Sequence, residues 1–343
     1  MARPPALHGA GDRAARKDSA APGPSKSGPG PGAMKAVRVH AFGQAPRVEA
    51  LPQPAPAAGR SRVRIHAASV GHIDRTVWGG QFLRHPPLPY VPGVEGAGVV
   101  LDGARFAAGT RVFLRGAGLG TREDGTWREV VDAPDAALGA LPEGVPFALG
   151  SAFFSPCTSA WVALHEVGRV RPGERVLVSG ASGAVGSIAL QLALEAGARV
   201  TAAVSDEAQS ARLPTGVQPL VVSCHDIPAG VEADLLVDTV GGAPLAALLP
   251  AVVPGGRAVL VGYTAGTTLA LDLPLFLQRD VALLPLNMFR REAAGRAAAP
   301  GLLERLADGR LRLEVTEFAL DDAERAMDWI ATRGHRGRAV LVR

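Results

Sequence analysis

The chain has 343 residues, of which 47% are hydrophobic, and a formal net charge of +4; this length allows two domains with separate cores. Its apolar runs stay below the roughly 18–20 residues of a membrane span, and no secretory signal segment follows the start, so we expect a cytoplasmic protein without a membrane partner. It lacks a basic stripe with interleaved aromatic side chains, which argues against nucleic acid as a partner. Cys157 and Cys224 are the only cysteines, which excludes a disulfide framework and a four-cysteine zinc site; we expect both thiols to be buried and inert.

Residues 1–33 are rich in Ala, Pro and Gly, and their five Lys and Arg against two Asp carry most of the net charge. Leu7 is their only bulky aliphatic side chain after Met1, so they bury too little apolar surface to offset the entropy of ordering. We predict a disordered leader, with Met34 as a candidate translation start. A transit peptide is the weaker interpretation, because the segment is not amphipathic.

The next part of the chain shows short alternating segments separated by Gly, Asp and Pro turns. Such segments are typical of half-buried strands, and their density predicts a small, mostly β barrel. The predicted strands are 35–39, 62–66, 98–101, 111–114 and 128–131.

A Gly-rich turn follows the apolar run 176–178, and apolar residues then recur at helical spacing, which predicts a strand, a tight turn and a helix. Backbone amides at the start of such a helix favour a phosphate. Gly183 would permit the approach of a pyrophosphate, and Gly186 would let the helix lie against the strand, although Ala181 replaces the first glycine of G-x-G-x-x-G. A turn of this kind alone is equally compatible with a purely structural connection. The predicted diphosphate contacts are Ser182, Gly183, Ala184, Val185 and Gly186.

Five further apolar runs alternate with helical segments after this turn, at 199–204, 219–223, 234–240, 257–262 and 281–286. Near-continuous apolar strands are typical of a parallel sheet buried on both faces, so we predict a doubly wound, six-stranded parallel Rossmann domain in an α/β protein. The end of the chain predicts a helix at 297–308, a strand at 311–316, a capped helix at 321–332 and a strand at 338–342.

These segments carry a family resemblance. The barrel segments, P-G-V-E-G-A-G-V-V at 92–100 and the nucleotide turn occur in an order that resembles the medium-chain dehydrogenase/reductase superfamily, and G-R-L at 309–311 and G-R-A-V-L at 337–341 are similar to its signatures. The resemblance is greatest to the zinc-independent quinone oxidoreductase, or zeta-crystallin-like, branch. It implies a GroES-like catalytic domain in two pieces, 34–155 and 291–343, around a dinucleotide-binding domain at 156–290.

Zinc-dependent members of that superfamily hold a catalytic metal through a Cys, a His and a further Cys or acid. The matching positions here are Gly71, Val94 and Ser155, and Gly and Val supply no ligand atoms. His72 is the nearest candidate donor, but it has no partner at ligand spacing, and we interpret it as a packing or hydrogen-bonding residue. We therefore predict no metal.

Other residues match family positions around the nicotinamide. Ser159, in S-A-W-V-A-L at 159–164, is the predicted nicotinamide-side contact. Val261, Gly262, Tyr263 and Asn287 match positions where the family's backbone meets the nicotinamide amide and ribose, and ligands of such sheets do bind beyond the carboxyl ends of the strands. Asn287 is also interpretable as a residue that only caps a turn.

The choice of cofactor depends on the end of the second strand of the sheet. An acid there would bind the ribose diol of NAD, but Val204 occupies that place and Ser205 follows. Ser205 and, if its helix turns it inward, Arg212 would suit the 2′-phosphate of NADPH, so we expect NADPH rather than NADH. The family's usual Lys is missing, since Gln209 stands near that position.

Without a metal, the easiest hydride acceptor is one whose own conjugation delocalises the electrons, so we predict reduction of a quinone or an α,β-unsaturated carbonyl. No catalytic acid is assignable: Thr76 replaces the family's aromatic hydroxyl, Asp74 fits a structural role, and Tyr90 fits packing better than donation to a substrate. An enoyl-thioester or 2-alkenal reductase, and a noncatalytic NADPH-binding sensor or partner-binding protein, remain alternatives. The sixth strand would form a sheet edge able to pair across a two-fold axis in a homodimer.

Overall fold

The structure, a computed structural model, describes residues 32–222, 227, 230–332 and 334–343; the predicted leader up to residue 31 and Cys224 lie outside them. Its strands are β1 Ala33–Arg38, β2 Arg47–Pro52, β3 Arg60–Val70, β4 Glu95–Asp102, β5 Arg111–Arg115, β6 Val130–Pro134, β7 Leu138–Ala140, β8 Arg175–Val178, β9 Arg199–Val204, β10 Val217–Val221, β11 Ala233–Asp238, β12 Val252–Leu260, β13 Ala282–Pro285, β14 Val315–Ala319 and β15 Arg338–Val342. Its helices are α1 His72–Trp78, α2 Phe147–Ala152, α3 Phe154–Trp161, α4 Ala184–Glu195, α5 Glu207–Ser210, α6 Gly242–Leu248, α7 Leu273–Arg279, α8 Glu292–Ala307 and α9 Ala323–Ala331. Within these ranges, no helix is both long enough and apolar enough to cross a membrane.

The predicted doubly wound domain is confirmed. Six strands form one sheet in the order β10-β9-β8-β11-β12-β13, and every neighbouring pair is parallel. The central strands are apolar along their length because helices cover both faces, so that Val176, Leu177 and Val178 are all buried. The strand order reverses between β8 and β11, which places a ligand crevice beyond their carboxyl ends.

The second large sheet joins the two ends of the chain. Its order is β14-β15-β3-β4-β5-β7, with β6 also paired to β3, while β1 and β2 form a separate antiparallel pair. Strand β15 runs antiparallel to β3, so the last strand of the chain joins the sheet that β3 to β7 form. Trp127, Val63 and Leu341 are buried in its core, and the Trp127 Nε1 donates to the carbonyl oxygen of Ser69 at 3.0 Å.

The start of the strand predicted at 311–316 is wrong, because β14 begins four residues later, at Val315. Leu311 and Leu313 are buried as the alternating pattern requires, but residues 311–313 pair with no strand in the part of the chain that the structure describes. Instead, the side-chain amide of Gln191 accepts from the Arg312 N–H at 2.8 Å and donates to the Arg312 carbonyl at 2.9 Å. A side chain therefore satisfies the hydrogen bonds that the pattern assigns to a sheet.

Several other element boundaries also differ from the prediction. The strand expected at 128–131 begins at Val130, because Arg128 pairs only through an isolated bridge to Ala36. Helix α8 begins five residues before the predicted 297, at Glu292. The helix predicted to be capped at 321 begins at Ala323 after a 3-10 turn, and its N-cap residue Asp322 makes no side-chain cap hydrogen bond. The carboxylate of Asp321 binds the Lys35 Nζ at 3.0 Å.

Candidate active site

The turn between β8 and α4 has the geometry of an anion site. Gly180 adopts φ +58°, and Gly183 precedes the helix in an extended conformation with no side-chain cap. The amides of residues 184–186 therefore have no intrahelical partners and lie at the positive end of the helix dipole. A Cβ on Gly186 would lie 2.2 Å from the carbonyl oxygen of Gly180, so only glycine lets α4 pack against the turn. Ser182, the remaining predicted contact, lies in the turn itself.

A buried carboxylate fixes the crevice where the strand order reverses. Asp238, at the end of β11, accepts from the Ser179 Oγ at 2.5 Å and from the Gly241 N–H at 2.8 Å. The Thr239 Oγ1 donates to the Ser179 carbonyl at 2.8 Å. Burial raises the pKa of Asp238, although both hydrogen bonds favour its ionised form. No local sequence signal indicates this link between β8 and β11, whose two residues are 59 positions apart.

The segment after β12 crosses the end of β11 at close range. The Val261 N–H donates to the Asp238 carbonyl at 2.8 Å, and a Cβ on Gly262 would lie 2.2 Å from the carbonyl oxygen of Thr239. Tyr263 follows with 64% of its surface exposed. Because the sheet is parallel, these residues lie at the same edge as the glycine-rich turn.

The side chain of Asn287, beyond β13, caps a turn. Its Oδ1 accepts from the N–H groups of Phe289 at 3.0 Å and Arg290 at 3.3 Å. Of the two interpretations of this residue, the structure therefore supports the turn cap, and a cofactor contact through its backbone stays a prediction.

Polar side chains form a network at the end of β9. The Ser205 Oγ donates to Asp206 at 3.1 Å, and the Gln209 Nε2 donates to the Ser205 Oγ and to Asp206 at 2.7 Å each. Asp206 also accepts from the Gln209 N–H as the cap of α5, and this bond lowers the pKa of Asp206. The expectation that a helix carries Arg212 is wrong, because α5 ends at Ser210 and Arg212 is exposed beyond it.

Ser159 lies on α3, which packs against α4. It is 9% exposed, and Leu164 is fully buried, in the π-helical segment Val162–Val167 that continues α3. Ser159 therefore lies on a helix that contacts the nucleotide-turn helix α4, and its contact with nicotinamide stays a prediction.

The positions that match zinc ligands do not fit a zinc ion. Gly71 and Val94 have no donor atom, and Ser155 is engaged elsewhere. The described residues contain no cluster of three or more His, Cys, Asp or Glu that could hold a metal. A Cβ on Gly71 would lie 2.5 Å from the Nη1 of Arg338, so a guanidinium fills the space that a ligand side chain would enter.

Asp74 has the structural role expected of it. Its two oxygens accept from the N–H groups of Gly71 at 2.8 Å and Val94 at 3.0 Å. Burial raises the pKa of Asp74 to about 6, opposed by these hydrogen bonds. Asp74 thereby ties together the two segments that match the metal-binding segments of zinc-dependent relatives.

A second buried carboxylate, Glu95, was not identified from the sequence. It is 1% exposed and accepts from the Ser155 N–H at 2.8 Å and Oγ at 2.5 Å, from the Arg338 Nη2 at 2.7 Å and from the Ser69 Oγ at 3.2 Å. The Nε of Arg115 lies 3.3 Å away. Both residues of the central ion pair, Glu95 and Arg338, occur in motifs that carry the family resemblance, but their pairing across 243 positions has no sequence signal.

None of the other candidate groups provides an evident proton donor. Desolvation, with the charge of Arg338, lowers the pKa of His72 to about 4, and the Thr76 Oγ1 donates to the His72 carbonyl. Tyr90 is buried in an apolar cluster, and burial raises its pKa. Cys157 is buried as predicted, and burial raises its pKa as well.

Comparisons with known proteins match both halves of this architecture. Residues 57–143 match the alcohol dehydrogenase GroES-like domain, and residues 220–341 match the zinc-binding dehydrogenase domain. The quinone oxidoreductase of Mus musculus is 31% identical over 250 residues, which cover 67% of this chain and 73% of that protein. That of Rattus norvegicus is 27% identical over 329 residues, or 90% and 98% of the two chains.

A solved quinone oxidoreductase from Pseudomonas syringae pv. Tomato DC3000 superposes with a TM-score of 0.79 at 25% identity, over 90% of this chain and 100% of that one. The six-stranded parallel sheet, the GroES-like domain and these relatives agree. This chain therefore belongs to the medium-chain dehydrogenase/reductase superfamily, in its quinone oxidoreductase branch, and is an oxidoreductase that uses a nicotinamide cofactor.

Proposed function

We propose that the enzyme uses NADPH to reduce a quinone or an α,β-unsaturated carbonyl without a metal. The observation that carries the proposal is the donor set at the metal-ligand positions, where Gly71 and Val94 offer no ligand atoms and Arg338 fills the adjacent space. A simple alcohol requires strong polarisation of its oxygen during hydride transfer. A conjugated acceptor delocalises the incoming electrons itself, so it is the substrate class that this site suits best.

The residues around the crevice fit a dinucleotide. The free amides of 184–186 and the α4 dipole would hold the diphosphate, and the small turn leaves room for it at Gly183. When bound, the cofactor supplies a hydride from its dihydronicotinamide ring. Ser159 and the backbone of Val261 would orient that ring.

The preference for NADPH rests on the end of β9. The Asp206 carboxylate is occupied as the cap of α5 rather than left free for a ribose diol. Ser205 is exposed and Gln209 is half-buried, and both are neutral groups that would have to exchange their hydrogen bonds within this network for bonds to the 2′-phosphate. A hydrogen bond to a charged group contributes about 1.5–3 kcal/mol, so we expect kcat/KM to favour NADPH over NADH by at least about tenfold. An equal or reversed preference would contradict the assignment.

The function is tested by following NADPH oxidation with a panel of quinones, enals, enones and enoyl thioesters. Turnover of quinones or simple enones supports the proposal. Turnover of enoyl thioesters or alkenals alone would identify the protein as an enoyl-thioester or 2-alkenal reductase instead. A protein whose melting temperature rises with NADPH but which oxidises none with any acceptor is a nicotinamide sensor or a partner-binding protein.

We also propose that the active form is a cytoplasmic homodimer joined through β13. This strand is the edge of the six-stranded sheet, and the neighbouring α7 exposes Leu273, Leu275 and Leu277 at 61%, 49% and 73%. An unpaired strand beside exposed leucines suits pairing with a second copy across a two-fold axis. Sedimentation should give a dimer for the wild type and a monomer for Leu277→Asp, whereas a wild-type monomer would refute this part of the proposal.

A further inference from the structure

We propose that Arg338 is a catalytic residue whose guanidinium takes the place of the missing metal and donates hydrogen bonds to the carbonyl oxygen of the acceptor. The inference rests on the proposed function and assigns the group at the reacting end of the same site. Three observations place Arg338 there: its contact with Gly71, its anchor on Glu95, and its unused donors.

The contact with Gly71 puts the guanidinium at the metal position. A Cβ on Gly71 would lie 2.5 Å from the Nη1 and 3.1 Å from the Nη2 of Arg338. Because Gly71 matches a zinc-ligand position, the guanidinium stands within the volume of the ligand that is absent. A positive charge therefore occupies this part of the site, and it is supplied by the Arg338 side chain on β15 instead of by a metal ion.

The anchor on Glu95 aims Arg338 at the nicotinamide side of the crevice. Glu95 binds Arg338 through one oxygen and Ser155 through the other. Ser155 lies four residues before Ser159 on α3, so the two share a helix face about 6 Å apart. Gly337, which precedes Arg338, forms a parallel bridge with Gly183 of the nucleotide turn. Arg338 thus lies between the two regions that would hold the cofactor.

Arg338 retains donors for a ligand. Its Nη2 donates to Glu95 at 2.7 Å and to the Ser69 Oγ at 2.8 Å. Its Nε is buried without a partner among the described residues, and its Nη1 makes no hydrogen bond to them. A guanidinium carries five N–H donors, and unsatisfied buried donors are unfavourable. A substrate carbonyl oxygen would accept hydrogen bonds from the Nε and Nη1 donors that remain.

Such donors act on the charge that develops during reduction. As a C–H bond forms at the electrophilic carbon of an enone and the corresponding C–H bond of the dihydronicotinamide breaks, the π electrons move to the carbonyl oxygen. The Arg338 guanidinium stabilises this oxyanion and stays protonated. A proton from water then completes the saturated carbonyl compound. Glu95 does not cancel the effect, because it binds only the Nη2 of Arg338 and leaves the Nε and Nη1 for the oxygen.

The first test uses Arg338→Met, with Arg115→Met as the matched control that removes the other cation near Glu95. Loss of one oxyanion donor lowers kcat about 100- to 1,000-fold, so we expect at least a hundredfold fall in enone reduction for Arg338→Met. The Kd for NADPH should change by less than about threefold, and Arg115→Met should keep kcat near the wild-type value. A parallel loss of NADPH affinity would overturn the proposal, because it would make Arg338 a diphosphate contact; so would an unchanged kcat.

Two further variants keep the test informative if Arg338→Met folds poorly. Gly71→Ala retains every charge but displaces the end of the Arg338 side chain, and it should lower kcat about tenfold with NADPH binding intact. Arg338→Ala should regain activity when guanidinium chloride is added at millimolar concentration, but not with sodium chloride. Failure of both effects would overturn the proposal.

A readout without turnover uses 4-nitrophenol, a ring whose phenolate oxygen mimics the oxyanion, in the presence of NADP+. A guanidinium within hydrogen-bonding distance lowers the pKa of the bound phenol by about 1–3 units. Wild type and Arg115→Met should therefore show the yellow phenolate at lower pH than Arg338→Met does. Coincident titration curves would overturn the role of Arg338, whereas a wild type that shows the shift but reduces no acceptor would refute only the proposed function.

Discussion

Replacing Gly186 with alanine should destabilise the nucleotide-binding domain. The new methyl carbon would lie 2.2 Å from the carbonyl oxygen of Gly180 and 2.9 Å from the Cα of Ala181, whereas ordinary contacts begin at 3.4 Å. Both neighbours are backbone atoms that cannot rotate away. Helix α4 would have to retreat by about 1 Å, which is a large displacement in a close-packed interior.

The magnitude follows from what α4 buries. Ile188 and Leu192 are at most 2% exposed, and a radial gap of about 0.5–1 Å forfeits a quarter to a half of the dispersion attraction of each contact. Overpacking of this kind costs about 1–3 kcal/mol. We therefore expect the free energy of unfolding to fall by about 2–3 kcal/mol and the melting temperature by about 4–12 °C.

Urea and thermal unfolding of Gly186→Ala would be compared with Gly183→Ala. A Cβ on Gly183 would lie 3.2 Å from the Gly180 oxygen, so this variant should stay within about 1 kcal/mol of the wild type while weakening NADPH binding. If Gly186→Ala melts at the wild-type temperature, or if both variants lose equal stability, the close approach of α4 does not explain the glycine.

Three other predictions concern buried or paired groups. Asp238→Ala leaves the Ser179 hydroxyl without its buried acceptor and should lower the free energy of unfolding by about 2–4 kcal/mol in urea titrations; a smaller change would make the link between strands dispensable. Hydrogen bonding to Arg175 lowers the pKa of Asp234 to about 2, so the pair stabilises the fold above the unfolded pKa and this contribution is lost as the pH falls toward 2. Asp234→Asn should abolish that part of the acid sensitivity. The change in the free energy of unfolding should be less than about 1 kcal/mol, because the carboxylate is 28% exposed; identical acid titrations of both proteins would contradict this. In a variant whose other cysteine is serine, Cys157 should react with Ellman's reagent only after denaturation, because it is buried and its pKa is raised; rapid reaction of the native protein would contradict its burial.

The nucleotide-binding domain was accessible from sequence because its physics is local. A strand covered on both faces must be apolar throughout, as at 176–178, and a helix that approaches a turn closely requires glycine, as at Gly186. Both patterns can be read from a few consecutive residues, without knowing which distant residues they contact. The order of the six strands has no such local signal, and it is known from the structure alone.

The reacting end of the site was not accessible in this way. Glu95 and Arg338 meet across 243 positions, and nothing local to either residue indicates a partner. The same limit explains the error at 311–316, because alternating burial does not reveal whether a strand or the side chain of Gln191 will satisfy the backbone. Asn287 was ambiguous for a related reason, since its side chain suits both a turn and a ligand.

The pairing of the last strand with β3 has a consequence for how the protein is made. The Ala67–Val70 end of β3 pairs with β15, while β6 covers only its Arg60–Arg64 end. On the ribosome, about 270 residues separate Val70 from Ala339, so at about 5–20 residues per second this edge waits for roughly 15–55 s before its partner emerges. The nucleotide-binding domain, which is continuous in the chain, is complete before then. A nascent or truncated chain that lacks the final residues therefore presents a finished cofactor domain beside an open, aggregation-prone sheet edge.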